Sequence, residues 1–570
     1  MLKNHPKGLF VALFANMGER FGYYTMLAIF VLFLQAKYGF RYEVASQYFG
    51  IFLAFVYFMP LIGGILADKV LGYGKTISLG LLVMFTGYIL IAIPTQWSLD
   101  AKTSGLPLVI TGLAVISLGT GLFKGNLQAL VGNLYDADKK FDKYRSLGFN
   151  IFYMGINVGA MFAPTAAEAV SNWMMKGSNL TYSGGIPALA HKFLDGSITA
   201  EETTKLTGLA NEQVAFSTMS GDLGQFSSYY INELSNSYHW AFGVATISLI
   251  VSMIIFWGFR KFYKHADVTE KQKSKSVDLK SQVVSLTPKQ VKERMVSLIL
   301  VFLVVIFFWM AFHQNGAAMT AFARDYTVDT VGQFTNIWFD LFGLLPIALS
   351  VLGVVLFSMK RNSQALRIGG LIMAAAFAVI AFFRISGYDA SNLFTPQKFQ
   401  HFNPFFIVAL TPIVVGIFSM LANKQKDPSD PKKIGIGMII TAVGFTVLVV
   451  GSLSLIGMAP GDIAETRVDG SFAVGPYWLI STYFILTIAE LFLSPIGLSF
   501  VSRVAPPQYK GLMQGGWLAA TAIGNYGVAL IGFLWNKIQL WQFWGILVIL
   551  CLLAATFIFS ILKRLENATK

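Results

Sequence analysis

Phe10-Val11-Ala12-Leu13-Phe14-Ala15-Asn16-Met17-Gly18-Glu19-Arg20-Phe21-Gly22-Tyr23-Tyr24 opens an apolar run that continues to Leu34 and carries a glutamate and an arginine near its middle. Even the lowest scales put a charge at a bilayer centre at roughly 2.5 to 3.5 kcal/mol. Such residues persist where they face a protein interior or a water-filled cavity and find partners. The plainer reading of Glu19–Arg20 is a local pair that ties helices together. The recurrence of further charges in apolar segments favours a functional one.

Composition widens that reading to the whole chain. Of 570 residues, 55% are apolar and 13% charged, against about 25% charged in soluble domains; this is a polytopic membrane protein. The single cysteine, Cys551, excludes an intramolecular disulfide framework. The net charge of +14 comes from basic residues gathered in loops, which argues against a nucleic-acid partner. No small-residue cleavage site follows a short apolar core, so no removable signal peptide is expected. No phosphate loop, nucleophile–base constellation, metal set or cofactor motif is apparent, so an enzyme is not expected.

At about 20 apolar residues per span, the sequence predicts fourteen: 9–35, 46–67, 76–95, 107–131, 147–170, 240–260, 296–320, 335–357, 366–384, 404–422, 436–457, 477–500, 512–533 and 540–563. Under that count the basic clusters all fall on one side, among them Lys3 and Lys7, Lys139–Lys140, Lys432–Lys433 and Lys563–Arg564. The excess of basic loop residues places both termini in the cytoplasm. The opposite face has one long polar stretch, 171–238, expected to be a partly ordered external loop. The chain divides into an N-terminal six-span bundle (1–260), a basic linker (261–295) and a C-terminal bundle (296–570) with an added hairpin at about 335–384. Paired halves of this kind place a substrate site between them, near the midplane.

The loop after span two, Gly63-Gly64-Ile65-Leu66-Ala67-Asp68-Lys69-Val70-Leu71-Gly72-Tyr73-Gly74-Lys75, resembles the cytoplasmic motif of the major facilitator superfamily. Glycines let helices approach closely there and an aspartate can bridge a helix end; Gly64, Asp68 and Lys69 are the expected gating residues. Four further motifs narrow the resemblance: Glu19-Arg20-Phe21-Gly22-Tyr23-Tyr24; Gly121-Leu122-Phe123-Lys124-Gly125-Asn126; Phe149 to Ala160; and Glu490-Leu491-Phe492-Leu493-Ser494-Pro495-Ile496-Gly497-Leu498-Ser499. Together, in this order, they resemble the proton-coupled oligopeptide transporter family across essentially the whole chain.

That resemblance implies an all-α integral membrane protein of the major facilitator fold, two six-helix bundles plus a two-helix hairpin. It implies proton-driven uptake of di- and tripeptides by alternating access at the cell membrane, by a monomer in the lipid bilayer. Implied substrate contacts are Arg20, Tyr23, Tyr24, Tyr57, Lys124, Asn157, Trp309, Asn403, Glu490, Ser494 and Trp517. Arg20 and Lys124 would face the peptide carboxylate, and Glu490 and Asn157 its amino terminus. A zwitterion is costly to desolvate unless each end meets opposite charge, and arginine's planar fork suits a carboxylate. The formal charges of Glu19, Arg20, Lys124 and Glu490 sum to zero, so protonating Glu19 would free a cation for substrate, a coupling that must be reciprocal.

Three positions depart from the family pattern. Asn16 stands where the first glutamate of the helix-one motif is expected, Leu27 at an often basic position, and His313 where many bacterial members carry a glutamate. The proton carriers are then expected among Glu19, Arg20, Lys124, His313 and Glu490. A histidine titrates near neutrality when unperturbed. Nitrate or another small anion or drug-like solute is the alternative cargo, and a transport-inactive peptide sensor a further one.

Overall fold

The structure, a computed structural model, describes residues 5–137, 139–142, 144–267, 287–358, 363–456, 474–506 and 509–568. Fourteen long helices dominate the described residues. In chain order they are α1 (Lys7–Tyr38), α2 (Tyr42–Leu66), α3 (Tyr73–Ala92), α4 (Leu106–Asp136), α5 (Arg145–Gly177), α6 (Leu223–Gly258) and α7 (Pro288–Phe312). There follow α8 (Leu341–Ser358), α9 (Gln364–Ser386), α10 (Phe402–Asn423), α11 (Asp430–Gly451), α12 (Tyr477–Val504), α13 (Lys510–Gly532) and α14 (Leu540–Ser560). Twelve are long and apolar enough to cross a membrane. The other two, α5 and α13, are of spanning length but richer in glycine and polar residues.

Helix ends follow local chemistry. The Asp222 side chain accepts hydrogen bonds from the Gly224 and Gln225 amides at the start of α6. Thr287 and Gln290 cap α7 reciprocally, satisfying amides that have no partner within the helix. α7 stops at Phe312, turns tightly through His313–Gly316 and resumes over Ala318–Asp325. The seventh span is therefore a broken helix rather than the single run 296–320.

Burial orders the helices. Within its most apolar stretch α1 is 78% buried, whereas the corresponding figure for α9 is 17%. α1 packs between α5 and α6, and α3 lies along α4. α2 runs beside α13, where Gly50 meets Ala529 and Gly515 meets Leu61. The hairpin α8–α9 packs mainly on itself, with Gly353 against Gly370. Its base is tied off by a two-residue antiparallel ladder, Thr330 opposite Leu393 and Val331 opposite Asn392. The chain thus leaves and rejoins the bundle at adjacent points, as an insertion between α7 and α10 does.

The stretch 171–238 corrects the expectation of a partly ordered loop. α5 extends to Gly177 and α6 begins at Leu223; between them lie helices Ile186–Asp195, Ala200–Asn211 and Val214–Thr218. This cap is anchored by the His191 ring, which donates from Nε2 to the Ala36 carbonyl at 2.9 Å and stands edge-on to Trp97. Polarity misled the reading because these short helices need only one apolar face. The basic linker falls largely on 268–286, outside the described residues; at its start Asp267 accepts from the Gly74 amide at 2.7 Å, capping α3.

The gating motif is also sharpened. A Cβ on Gly63 would collide with the Gly121 carbonyl of α4, while one on Gly64 would meet open space. Gly63, not Gly64, is the close-approach glycine, and Asn126 donates to its carbonyl at 3.0 Å. The side chains of Asp68 and Lys69 lie outside the described residues.

Candidate functional site

Polar residues of α1, α2, α4 and α7 meet in one cluster, and those of α10 and α12 in a second. On α1, Arg20 grips Glu19 with two hydrogen bonds of 2.5 Å, Nε to Oε2 and Nη2 to Oε1. Both are almost wholly buried. The guanidinium also lies 4.6 Å from the Tyr23 ring centre. This side-on pairing commits Nε–H and one Nη2–H of the five guanidinium N–H groups to Glu19. Glu19 and Arg20 thus close on each other, while Lys124 and Glu490 make no ion pair among the described residues.

Lys124 is one of those left. Its ammonium sits 4.0 Å above the Tyr57 ring centre and, among the described residues, makes no ion pair. It lies within electrostatic range of Glu19, Arg20 and His313. His313 approaches Tyr57 edge-on, with ring centres 6.0 Å apart. Tyr57 is therefore flanked by a lysine from α4 and an imidazole from the break after α7. His313 Nδ1 bonds the Trp309 carbonyl at 3.2 Å, and the Trp309 indole N–H is buried without a partner. Asn16 and Leu27 are buried in α1, and the one acidic residue of α7, Glu293, is the sixth of its 25 residues.

Glu490 is the second unmatched charge. Buried in α12, it accepts from Asn403 Nδ2 at 2.9 Å, and the same amide reaches Thr487 at 3.1 Å. No cation pairs with it among the described residues. Tyr24, Tyr57 and Tyr153 lie within its electrostatic range, so residues of α1, α2 and α5 converge on it from across the molecule. Asn157 donates to the Tyr153 carbonyl of its own helix at 3.1 Å. Ser494 is half-buried one turn beyond Glu490. Trp517 is buried against Gly497, where a Cβ would overlap the indole.

Two kinds of residue escaped the sequence reading. Tyr153 was legible, since it precedes Asn157 by four residues and so shares its helix face. A latch between α5 and the segment leading into α10 was not. There Glu168 accepts from Thr395 Oγ1 at 2.6 Å and pairs with Lys398 at 2.9 Å. Nearby, Arg324 donates to Gln35 at 2.7 Å, and Gln400 donates to the Ala28 carbonyl at 3.1 Å. These bonds join residues remote in sequence at the end of the molecule opposite the termini.

A profile described as the POT family matches residues 74–285 and 391–542. The chain belongs to the POT family. Among the relatives of this POT member, the peptide transporter YePEPT of Yersinia enterocolitica is 27% identical, covering 93% of this chain and 88% of that protein. A di-/tripeptide transporter of Lactococcus lactis is 25% identical, over 90% and 86%. Among solved structures, a peptide transporter POT in complex with sulfate superposes with a TM-score of 0.64 at 21% identity, covering 99% and 96%. A POT family transporter in complex with 5-aminolevulinic acid gives 0.63 at 18% identity, over 99% and 97%. The structural likeness speaks for the fold. This POT member is a multi-span membrane transporter, not an enzyme.

Proposed function

We propose that this POT member carries di- and tripeptides into the cell together with protons, by alternating access between its two halves. The observation that carries the reading is the pair of unmatched charges, Lys124 on α4 and Glu490 on α12. Glu490 is buried and Lys124 half-buried; a charge drawn out of water without a partner is costly, and a zwitterion supplies both counter-charges at once. The substrate carboxylate would lie on Lys124 and its ammonium on Glu490 and Asn403, with Tyr24, Tyr57, Tyr153 and Trp309 as walls. A small anion such as nitrate would leave Glu490 unmatched.

Proton coupling follows from competition. While Glu19 is ionised it occupies the Arg20 fork; once protonated it frees that fork for the substrate carboxylate, and substrate then favours the protonated form to the same extent. His313 shares the Tyr57 ring with Lys124, so a proton there adds a second cation unless an anion arrives with it. Both termini cytoplasmic, a cell-membrane location, a bundle–linker–bundle division with the hairpin inserted in the second half, and action as a monomer complete the proposal.

Reconstitution in liposomes with labelled dialanine, under an imposed pH gradient with and without a membrane potential, tests it. Gradient-driven uptake is expected, and abolished in Lys124→Ala. Uptake indifferent to both gradients refutes symport. Nitrate accumulation without peptide uptake favours the anion carrier, and binding without flux favours a sensor.

A further inference from the structure

A crevice of about 520 Å³ opens at the end of the molecule opposite the termini, a volume within the range of small-ligand pockets. Its walls come from both halves and from the cap: the α1–α2 connection, helix Ile186–Asp195, and the segment after α13. Most charges on these walls are already used. Arg324 pairs with Asp325 at 2.5 and 2.7 Å, and Lys192 pairs with Glu202 at 2.8 Å. Three charges remain: Arg41, Lys537 and Glu43 make no ion pair among the described residues.

The same wall holds polar atoms with no hydrogen-bond partner. They are Glu43 Oε2, Tyr42 Oη, Trp535 Nε1 and Asn536 Oδ1, and the Tyr42 and Trp535 side chains are almost completely buried. Each buried polar group left unmade costs about 1–3 kcal/mol. Their gathering in one crevice provides donors and acceptors of the kind a peptide bond needs. One free carboxylate beside two free cations matches a zwitterion. A funnel built for an inorganic anion would be of one sign.

We propose that this crevice is an outer docking site for zwitterionic peptides, with Glu43 taking the ammonium and Arg41 with Lys537 the carboxylate. Its choice of ligand rests on the function proposed above. Gln35 and Arg324, which join the two halves, are themselves part of its lining, so a ligand in the crevice would lie against that contact. Helix Ile186–Asp195 of the cap forms one wall of the crevice, which gives the long segment between α5 and α6 a part in the site.

The test is the kinetics of labelled dialanine uptake into liposomes. Glu43→Gln is expected to raise KM roughly five- to tenfold with Vmax within about twofold, and Arg41→Gln/Lys537→Gln to do likewise. A merely structural role would lower Vmax and thermal stability together. Unchanged KM in both variants overturns the site. Equilibrium binding of dialanine to Lys124→Ala separates the two proposals. Residual weak binding that Glu43→Gln abolishes sustains the outer site even if wild-type flux is absent, and residual binding indifferent to Glu43→Gln refutes it.

Discussion

Glu168→Gln should loosen the end of the transporter opposite its termini. Glu168 on α5 is 6% exposed and holds both Thr395 and Lys398, which precede α10. Removing one partner of a buried ion pair costs about 3–5 kcal/mol. Lys398 retains some solvent contact, its side chain being 16% exposed, and glutamine can keep the Thr395 bond. We therefore expect a loss of about 2 kcal/mol, a roughly 30-fold shift from closed toward open at that end. A cysteine at Ala28, 2% exposed beneath the Gln400 contact, reports the change through labelling by a membrane-impermeant thiol reagent. The native Cys551 is buried and stays silent. Labelling should accelerate about 30-fold in Glu168→Gln, and Glu168→Gln/Lys398→Met should recover part of the protection by removing the stranded ammonium. An unchanged rate in the single variant would refute the latch.

Three further outcomes are expected. Lys37, wholly buried, donates to the Thr95 carbonyl at 2.6 Å, to the Thr95 hydroxyl and to His239 Nε2 at 2.8 Å; Lys37→Met strands those acceptors and should cost about 3 kcal/mol, read as a lowered unfolding midpoint in detergent, whereas an unaltered midpoint would mean the ammonium holds nothing together. Gly497→Ala should push the Trp517 indole aside and remove most dialanine uptake, with Trp517→Phe restoring it in the double variant; full uptake in Gly497→Ala alone would contradict the packing. Burial holds the His191 imidazole below its ordinary value, against the opposing bond to Ala36. The unfolded cap therefore binds the proton first, and cap stability is lost as pH falls below about 6.5. Amide exchange in 186–195 should quicken at acid pH in the native chain and lose that dependence in His191→Gln.

Much of the site was legible because charge in an apolar segment is rare enough to notice. Glu19, Arg20, Lys124 and Glu490 could each be picked out by that contrast, and Tyr57, Asn403 and Trp309 only through the resemblance to the transporter family. How they pair was not legible. Glu19 and Arg20 are adjacent in sequence, and only the structure has the arginine turned back onto its neighbour rather than into the space between the halves. Gly63 and Gly64 are likewise indistinguishable as letters; the crossing of α2 over α4 selects the first.

The order of elements and the membrane setting were determined by sequence alone, because hydropathy, helix length and loop charge act locally and each segment meets the bilayer largely by itself. Only the tertiary structure decided which charges are spent and which are left over. It also decided that 171–238 folds into a cap and that Glu168 meets Lys398 from 230 residues away. Those outcomes depend on distances between segments remote in the chain, and burial turns a few ångströms there into several kcal/mol.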